Sequence, residues 1–151
     1  MASPAETRPG TFLAGLSPSA RGTLLSFAEP LHFKSGEIIF GGGDPSTRVY
    51  VVKSGRVNLT IQIAKKGPVT LMTLGPEELF GWSAMVPPNI QTATARALEE
   101  SDVLAIDAPA LFDACENDPR FGYELYRALS AVMTSRLRAT RLQLVDIYAH
   151  P

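Results

Sequence analysis

Residues of the types that carry out catalysis are few in this sequence of 151 residues. The two histidines are His32 and His150, and Cys115 is the single cysteine. Protein metal sites of the zinc type take three or four ligands from Cys, His and acidic side chains, and two histidines so far apart argue against one. No Ser/His/Asp or Cys/His arrangement is suggested by a local signature. A metal-dependent enzyme of a β-roll class is therefore the least favoured function.

Two other patterns have the residue types that bind phosphate. Gly41–Gly43 is a glycine run, but it lacks the Lys-Ser/Thr ending and the following helix of a phosphate-binding loop, so a turn between strands is predicted. The C-terminal region is basic and could form a nucleic-acid-binding surface, but acidic residues flank it, which favours a solvated helix face. Its arginines are Arg127, Arg136, Arg138 and Arg141.

Composition favours one soluble globular domain. Apolar residues make up 45% and charged residues 19% of the chain, and the net charge of −1 gives no general attraction to nucleic acid or to anionic membranes. No apolar run approaches the roughly 20 residues of a membrane helix. Residues 1–10 lack the apolar stretch of a signal peptide. We expect a cytoplasmic protein with no intrachain disulfide and no membrane association.

The spacing of apolar residues changes along the chain and indicates which helices and strands would position a site. Ser17-Pro18 predicts the start of a short helix, with Pro30 just past its end. From Leu31 to Asp107 the period is two, most clearly where Val57 to Ile63 alternate apolar and polar side chains. Further strands are predicted over residues 49–52, 69–74, 92–97 and 101–106, with Gly- and Pro-containing turns between them. The fold class is mainly β with flanking helices, as an antiparallel double-stranded β-roll of the jelly-roll kind.

The last third of the sequence is helical. Pro109 to Glu116 predicts a short helix, and Asp118-Pro119 starts a long one that would run about 45 Å. Its apolar side chains keep to one stripe, which the small domain cannot cover along its whole length; the stripe is Leu125, Leu129, Val132, Leu137, Thr140, Leu144 and Ile147. We expect a homodimer through the helix over residues 119–148.

The expected organisation is one domain after a short tail. Residues 1–11 are predicted to be a disordered tail and residues 12–148 the domain. Within the domain, 12–30 is a helical lead-in, 31–107 the β-roll and 108–148 the C-terminal helices.

Short motifs along the roll and its helices occur in a characteristic order and spacing. They are Ile39-Phe40, Gly43-Asp44-Pro45, Val49 to Val52, Ser54 to Val57, Leu74-Gly75-Pro76, Phe80-Gly81, Thr92-Ala93, Arg96-Ala97, Asp118-Pro119 and Leu129-Ser130. Together they resemble the cyclic nucleotide-binding domain of the catabolite-activator (Crp/Fnr) type. The resemblance covers roughly residues 31–148.

The resemblance implies a small-ligand site in the roll, for cyclic AMP or cyclic GMP or for another metabolite. The matching positions are Phe80, Gly81, Trp82, Ser83, Ala84, Gln91, Thr92, Ala93 and Thr140. In family members that bind cyclic nucleotides, a Gly-Glu pair holds the ribose and an Arg-Ser/Thr-Ala run holds the phosphate. This chain has Trp82 at the Glu position and Gln91 at the Arg position. Losing a charged partner of this kind typically costs about 2–5 kcal/mol, enough to turn a micromolar affinity into a millimolar one. We therefore do not expect high-affinity cyclic AMP binding.

Two residues of this site and two arginines of the last helix each have two interpretations. Trp82 could stack on a flat ligand or fill the vacated pocket. Thr140 could contact a purine base or be a small residue in a dimer seam. Arg138 or Arg141 could reach into the pocket and replace the missing cation, or lie on the solvated face of the helix.

The function predicted from these features is a non-catalytic regulatory domain that binds a small ligand in the roll and signals through a dimerising helix. The alternative is a ligand-free dimerisation or interaction scaffold with a filled pocket. Regulators of the resembling family continue past the long helix into a helix-turn-helix. Because this sequence ends at Pro151, we expect no DNA-binding domain and no direct DNA binding.

Overall fold

The computed structural model describes residues 11–149 of the chain. His150 and most of the predicted tail over residues 1–11 lie outside the described residues. Thr11, the last residue of that predicted tail, forms an antiparallel bridge with Glu78. No helix among residues 11–149 is long and apolar enough to cross a membrane.

The N-terminal segment packs as a 3-10 turn, Leu13–Gly15, followed by helix α1, Pro18–Ser26. The Ser17 hydroxyl accepts a hydrogen bond from the Ala20 N–H at 3.2 Å, which confirms the predicted cap. The first strand, β1, then begins at Ala28, three residues before the predicted boundary of the roll. Pro30 lies inside this strand. A residue without an N–H is tolerated there because β1 is an edge strand of its sheet.

Within residues 11–149, eight antiparallel strands form two four-stranded sheets, as predicted for a double-stranded roll. One sheet has the order β1-β8-β3-β6 and the other β2-β7-β4-β5. The strands are β1 Ala28–Phe33, β2 Ile38–Phe40, β3 Arg48–Ser54, β4 Val57–Ile63, β5 Gly67–Leu74, β6 Leu79–Phe80, β7 Thr94–Ala97 and β8 Ser101–Asp107. A 3-10 turn, Trp82–Met85, follows β6. The strand predicted over residues 92–97 begins two residues later, at Thr94.

Apolar side chains form two cores. The space between the sheets is filled by residues such as Val52, Val57, Phe80 and Val103, all essentially inaccessible to solvent. A second core joins the outer face of the first sheet to the helices. It includes Val51, Leu79, Ile106, Leu111, Leu125 and Leu129.

Two helices follow the roll in the described residues, α2 over Ala108–Asn117 and α3 over Pro119–Ala149. The Asp118 carboxylate accepts a hydrogen bond from the Phe121 N–H at 3.3 Å, so the predicted cap-plus-proline start of α3 is confirmed. The buried residues of α3 all lie before Leu137. Residues 137–149 are exposed, so the predicted apolar stripe is covered by the domain only in its first half.

Candidate ligand-binding site

The interior of the roll next to Gly81 is filled by aromatic rings. Gly81 adopts a left-handed backbone with φ of 76°, and a Cβ atom there would lie 2.9 Å from Cδ2 of Tyr50. The Tyr50 ring stacks on Phe80 at 5.1 Å between centroids, and Phe40 lies 5.6 Å from Tyr50. Burial raises the pKa of the Tyr50 phenol. These three rings occupy the part of the roll that faces Gly81.

The space left beside them, which we call the Gly81 pocket, has a volume of only about 40 Å³. Its lining includes six of the predicted site residues: Gly81, Trp82, Ser83, Gln91, Thr92 and Ala93. A water molecule needs about 10–15 Å³ of a volume measured in this way, so the pocket has room for a few waters and not for a nucleotide.

Gln91, at the position where the resemblance expects an arginine, is buried and engaged with the protein. Its side-chain amide donates to the Ser46 hydroxyl at 2.9 Å. Its backbone N–H donates to the carbonyl of Asp44, and its carbonyl accepts from the N–H of Gly43. Gln91 thus holds the glycine-rich segment as the predicted turn, in which the Gly41 N–H also donates to the Asp44 carboxylate.

Two other predicted site residues line neither this pocket nor the larger space described next. Phe80 and Ala84 are almost fully buried in the two cores. The Ala84 N–H donates to the Gly81 carbonyl at 3.3 Å, within the 3-10 turn. The Asn89 side chain donates to the carbonyls of Ser83 and Ala84, each at 3.0 Å, and so braces this turn.

A larger space, the helix cleft, lies between the second sheet and α3. It has a volume of about 490 Å³ and mainly apolar walls. Strands β4 and β5, the segment around Trp82 and Thr92, and one side of α3 form it; the lining is Leu59, Leu71, Met72, Trp82, Thr92, Ala93, Met133, Thr134, Arg136, Leu137, Thr140 and Gln143. The helix cleft therefore brings together Trp82, Thr92, Ala93 and Thr140 of the predicted site.

Arg136 is the charged residue of this lining, and the prediction that it belongs to a solvated helix face is wrong. It is only 7% exposed, and its Nη2 donates to the Leu79 carbonyl. Its Nη1 is buried and has no hydrogen-bond partner in the described part of the chain. The Trp82 ring lies over the guanidinium, with its centroid 4.6 Å from Cζ. Because α3 packs this residue onto β6, its cation is withdrawn from water.

Arg136, and not Arg138 or Arg141, is thus the arginine that reaches the site. Both of the latter are exposed and lie outside the lining of the helix cleft. A signal for Arg136 was present in the sequence. It follows Leu125, Leu129 and Val132 at helical spacing, on the face that the helix buries.

Burial lowers the pKa of the Arg136 guanidinium to about 10, and the charge of Glu78 partly opposes this shift. Arg136 remains protonated at neutral pH. Within residues 11–149 it forms no ion pair at 4.0 Å or less. The Glu78 carboxylate instead accepts the Gly75 N–H at 3.1 Å. The helix cleft consequently holds a positive charge without a paired carboxylate.

Thr140 lies one helical turn beyond Arg136 and is exposed in the cleft. Its hydroxyl donates to the Arg136 carbonyl at 2.9 Å. A hydroxyl that donates in this way keeps its lone pairs as acceptors. Thr140 can therefore accept a hydrogen bond from a ligand in the cleft, and it can equally face a second helix.

Comparison with known proteins connects this geometry to a family. The profile of the cyclic nucleotide-binding domain matches residues 30–118. The chain is 31% identical over 141 residues to the CRP-like cAMP-activated global transcriptional regulator of Mycobacterium tuberculosis, covering 93% of this chain and 60% of that protein. It is 30% identical over 130 residues to the cyclic AMP receptor protein of Thermus thermophilus, covering 86% of this chain and 58% of that protein.

The fold is also similar to solved structures. The crystal structure of the Thermus thermophilus catabolite activator protein superimposes with a TM-score of 0.77 and 28% sequence identity, covering 91% of this chain and 63% of that one. The chain thus spans about 60% of the length of the two curated relatives named above. The relative in Mycobacterium tuberculosis is a transcriptional regulator, and the chain covers only 60% of it. The expectation that this protein does not bind DNA directly is therefore not supported.

Proposed function

Because the chain belongs to the cyclic nucleotide-binding domain family of the Crp/Fnr type, we propose that it is a non-catalytic regulatory module. It binds a small ligand between the roll and α3 and signals through pairing of α3 with a second copy. The observation that carries this proposal is the helix cleft of about 490 Å³, a volume in the range of small-molecule sites. A cytoplasmic location accompanies the proposal.

The proposed dimer seam consists of exposed residues on α3. They are Met133, Leu137, Thr140, Leu144 and Ile147, whose spacings of 4, 3, 4 and 3 are those of the a and d positions of a coiled coil. An apolar stripe of this kind on a helix beyond the domain favours a second copy of the same helix as its cover.

Ligand binding and helix pairing share residues in this arrangement. Met133, Leu137 and Thr140 line the helix cleft and also belong to the proposed seam. A ligand that binds more tightly to one arrangement of α3 than to another shifts the equilibrium between them. Occupancy of the cleft would in this way change how two copies pair.

The ligand proposed here differs from a tightly bound cyclic nucleotide. Trp82 and Gln91 replace the two charged residues of the nucleotide-binding members, and the Gly81 pocket has room for only a few waters. We expect cyclic AMP and cyclic GMP to bind in the helix cleft and not in the Gly81 pocket, with an affinity in the millimolar range.

One observation favours a second candidate function, a ligand-free scaffold for dimerisation. The aromatic rings of Phe40, Tyr50 and Phe80 already fill the roll beside Gly81. In this alternative α3 pairs without any input from the cleft.

Thermal-shift and calorimetric screening separates the two candidates. Cyclic AMP, cyclic GMP and a panel of metabolites are tested on the wild type and on Leu71→Trp, which narrows the helix cleft. Leu98→Trp is the matched control, since Leu98 is similarly exposed and lies outside the cleft. A compound that stabilises the wild type and the Leu98 variant, but not the Leu71 variant, supports the regulatory module. If no compound gives this pattern, the scaffold is the correct reading.

A further inference from the structure

We propose that the side of α3 turned away from the roll binds the phosphate backbone of duplex DNA without reading its sequence. The surface consists of three exposed arginines, Arg127, Arg138 and Arg141, which we call the basic face. It lies on α3 itself and so differs from the helix-turn-helix that follows the long helix in regulators of this family. It also lies outside the helix cleft, and its role does not depend on the proposed ligand.

The three arginines lie on one side of the helix. Each residue of an α-helix is rotated by about 100° from the one before it, which places the three side chains within about 60° of one another. All three are exposed, whereas buried residues of α3 such as Leu125 and Val132 lie on the opposite side. At 1.5 Å per residue, the row from Arg127 to Arg141 is about 21 Å long. A long anion can therefore contact all three arginines at once.

The positive charge of α3 is concentrated and is not balanced locally. From Leu125 to Val145 the sequence has four arginines, of which Arg136 is buried, and no aspartate or glutamate. The segment over residues 97–118, by contrast, has seven acidic residues and no lysine or arginine. The net charge of −1 thus conceals two segments of opposite charge. Because salt at 0.1 M screens exposed charges beyond about 10 Å, the basic face can attract an anion that the whole protein does not.

A solvated helix face of the ordinary kind does not account for these arginines. Such a face pairs basic residues with acidic ones three or four positions away, and Arg138 and Arg141 have no acidic residue at those positions. Glu124 lies three residues before Arg127, but its carboxylate accepts the Ser17 N–H at 3.1 Å. None of the three arginines forms an ion pair at 4.0 Å or less among residues 11–149.

The end of the helix and the proposed seam also supply no partner. The helix dipole acts within about the last turn, and Arg141 lies two turns before the end of α3 at Ala149. Arg141 follows the seam residue Thr140, which gives it the e position of the heptad, where coiled coils place charges that pair with e or g residues of the other helix. None of these positions after Met133 is acidic; they hold Thr134, Arg136, Arg141, Gln143 and Tyr148.

The anion that fits this surface best is a straight row of phosphates. Each strand of duplex DNA has one phosphate per about 3.4 Å of axis, so the arginine row lies opposite about six phosphates. A guanidinium binds phosphate through two parallel hydrogen bonds. Single strands are bound by aromatic side chains that stack on bases, and the sequence has none between Arg127 and Arg141. Insertion into a membrane surface needs large apolar side chains on the same side, where Ala131 lies between Arg127 and Arg138.

Fluorescence anisotropy of a labelled duplex measures this binding. Two duplexes of unrelated sequence, each of about 20 base pairs and so longer than the arginine row, are titrated with the full chain over a series of NaCl concentrations. The test variant is Arg138→Gln/Arg141→Gln, because glutamine removes the charge with little change in helix propensity. The matched control is Arg48→Gln/Arg56→Gln, which removes the same charge from two arginines of the roll that pair with Glu29 and Glu99.

We expect the wild type to bind both duplexes equally well. The logarithm of its association constant should fall against the logarithm of salt concentration with a slope of about −3 for three phosphate contacts in one copy. Arg138→Gln/Arg141→Gln should bind on the order of 10-fold more weakly at low salt and lose about two-thirds of the slope. The control variant should keep the affinity and the slope of the wild type.

Two results with the duplexes overturn the proposal: no binding at low salt, or an equal loss of affinity in both double variants. A single-stranded oligonucleotide and vesicles containing phosphatidylserine are titrated in the same way. If either binds through Arg138 and Arg141 while the duplex does not, the partner is a single strand or a membrane, and the proposal is wrong. Ligand binding in the helix cleft is measured separately with Leu71→Trp, so a failure of the basic face is distinguishable from a failure of the proposed function.

Discussion

The most direct test of the proposed dimer uses two leucines of α3 that differ only in the face they occupy. Leu144 belongs to the proposed seam, whereas Leu142, two residues earlier, lies on the opposite face of the helix. Both are exposed, 53% for Leu144 and 65% for Leu142. Replacing each by Glu changes helix propensity little, so the pair isolates the effect of position.

The magnitude follows from the area that pairing would cover. Full burial of a leucine contributes about 1.5–3 kcal/mol, so a residue that is about half exposed has about 1 kcal/mol left to gain in each copy. Two facing carboxylates add about 1 kcal/mol of repulsion at contact distance in water. Over both copies the Leu144→Glu dimer is weakened by about 3 kcal/mol, which raises its dissociation constant on the order of 100-fold.

Sedimentation velocity over a concentration series measures this constant. We expect a wild-type dimer, a Leu142→Glu dimer of equal strength and a largely monomeric Leu144→Glu protein. Equal weakening by both substitutions, or none by Leu144→Glu, would show that the heptad seam is not the interface. A wild type that is monomeric at all concentrations would refute the dimer.

Three other perturbations test packing and titration in the roll and at α1. Gly81→Ala should lower the free energy of unfolding in urea by about 1–2 kcal/mol for its left-handed backbone and by about 1–3 kcal/mol more for overpacking against Tyr50. NMR titration should place the pKa of His32 above 6.5, because hydrogen bonds, chiefly to Asp102, favour its protonated form. The stabilisation of the fold by protonated His32 is complete below pH 6.5 and is lost as pH rises through the raised pKa. Hydrogen bonds from Ser17 lower the pKa of Glu124, so its contribution is present above the ordinary value of 4.5 and lost as pH falls through the lowered one. Unfolding of Glu124→Gln should accordingly depend less on acid pH than that of the wild type.

Much of the roll could be predicted because its signals are local. The alternation from Val57 to Ile63 matches a strand with one buried face, and it has those bounds in the structure. The caps at Ser17 and Asp118 marked the starts of two helices. The boundary of the roll was predicted too late because Pro30 was interpreted as lying past the end of a helix. A proline is also tolerated in an edge strand, and whether a strand lies at the edge depends on the assembled sheet.

The candidate site was less predictable because it depends on contacts between distant segments. Phe40, Tyr50 and Phe80 come from three strands and reduce the space beside Gly81 to a small pocket only when the sheets close. Arg136 has the charge of a surface residue and the spacing of a core residue. Its spacing determined its burial, because the face of α3 that carries Arg136 packs on β6. There the Leu79 carbonyl accepts a hydrogen bond from the Arg136 guanidinium.

The stacking of Trp82 on Arg136 has a practical consequence. Trp82 is the single tryptophan among the 151 residues, so the intrinsic emission of the protein above the tyrosine background arises at the helix cleft. Any ligand that displaces the indole from the guanidinium changes the surroundings of that one fluorophore. The unlabelled protein thus contains a spectroscopic reporter at the proposed ligand site, and ligands without colour or dye can be titrated against it directly.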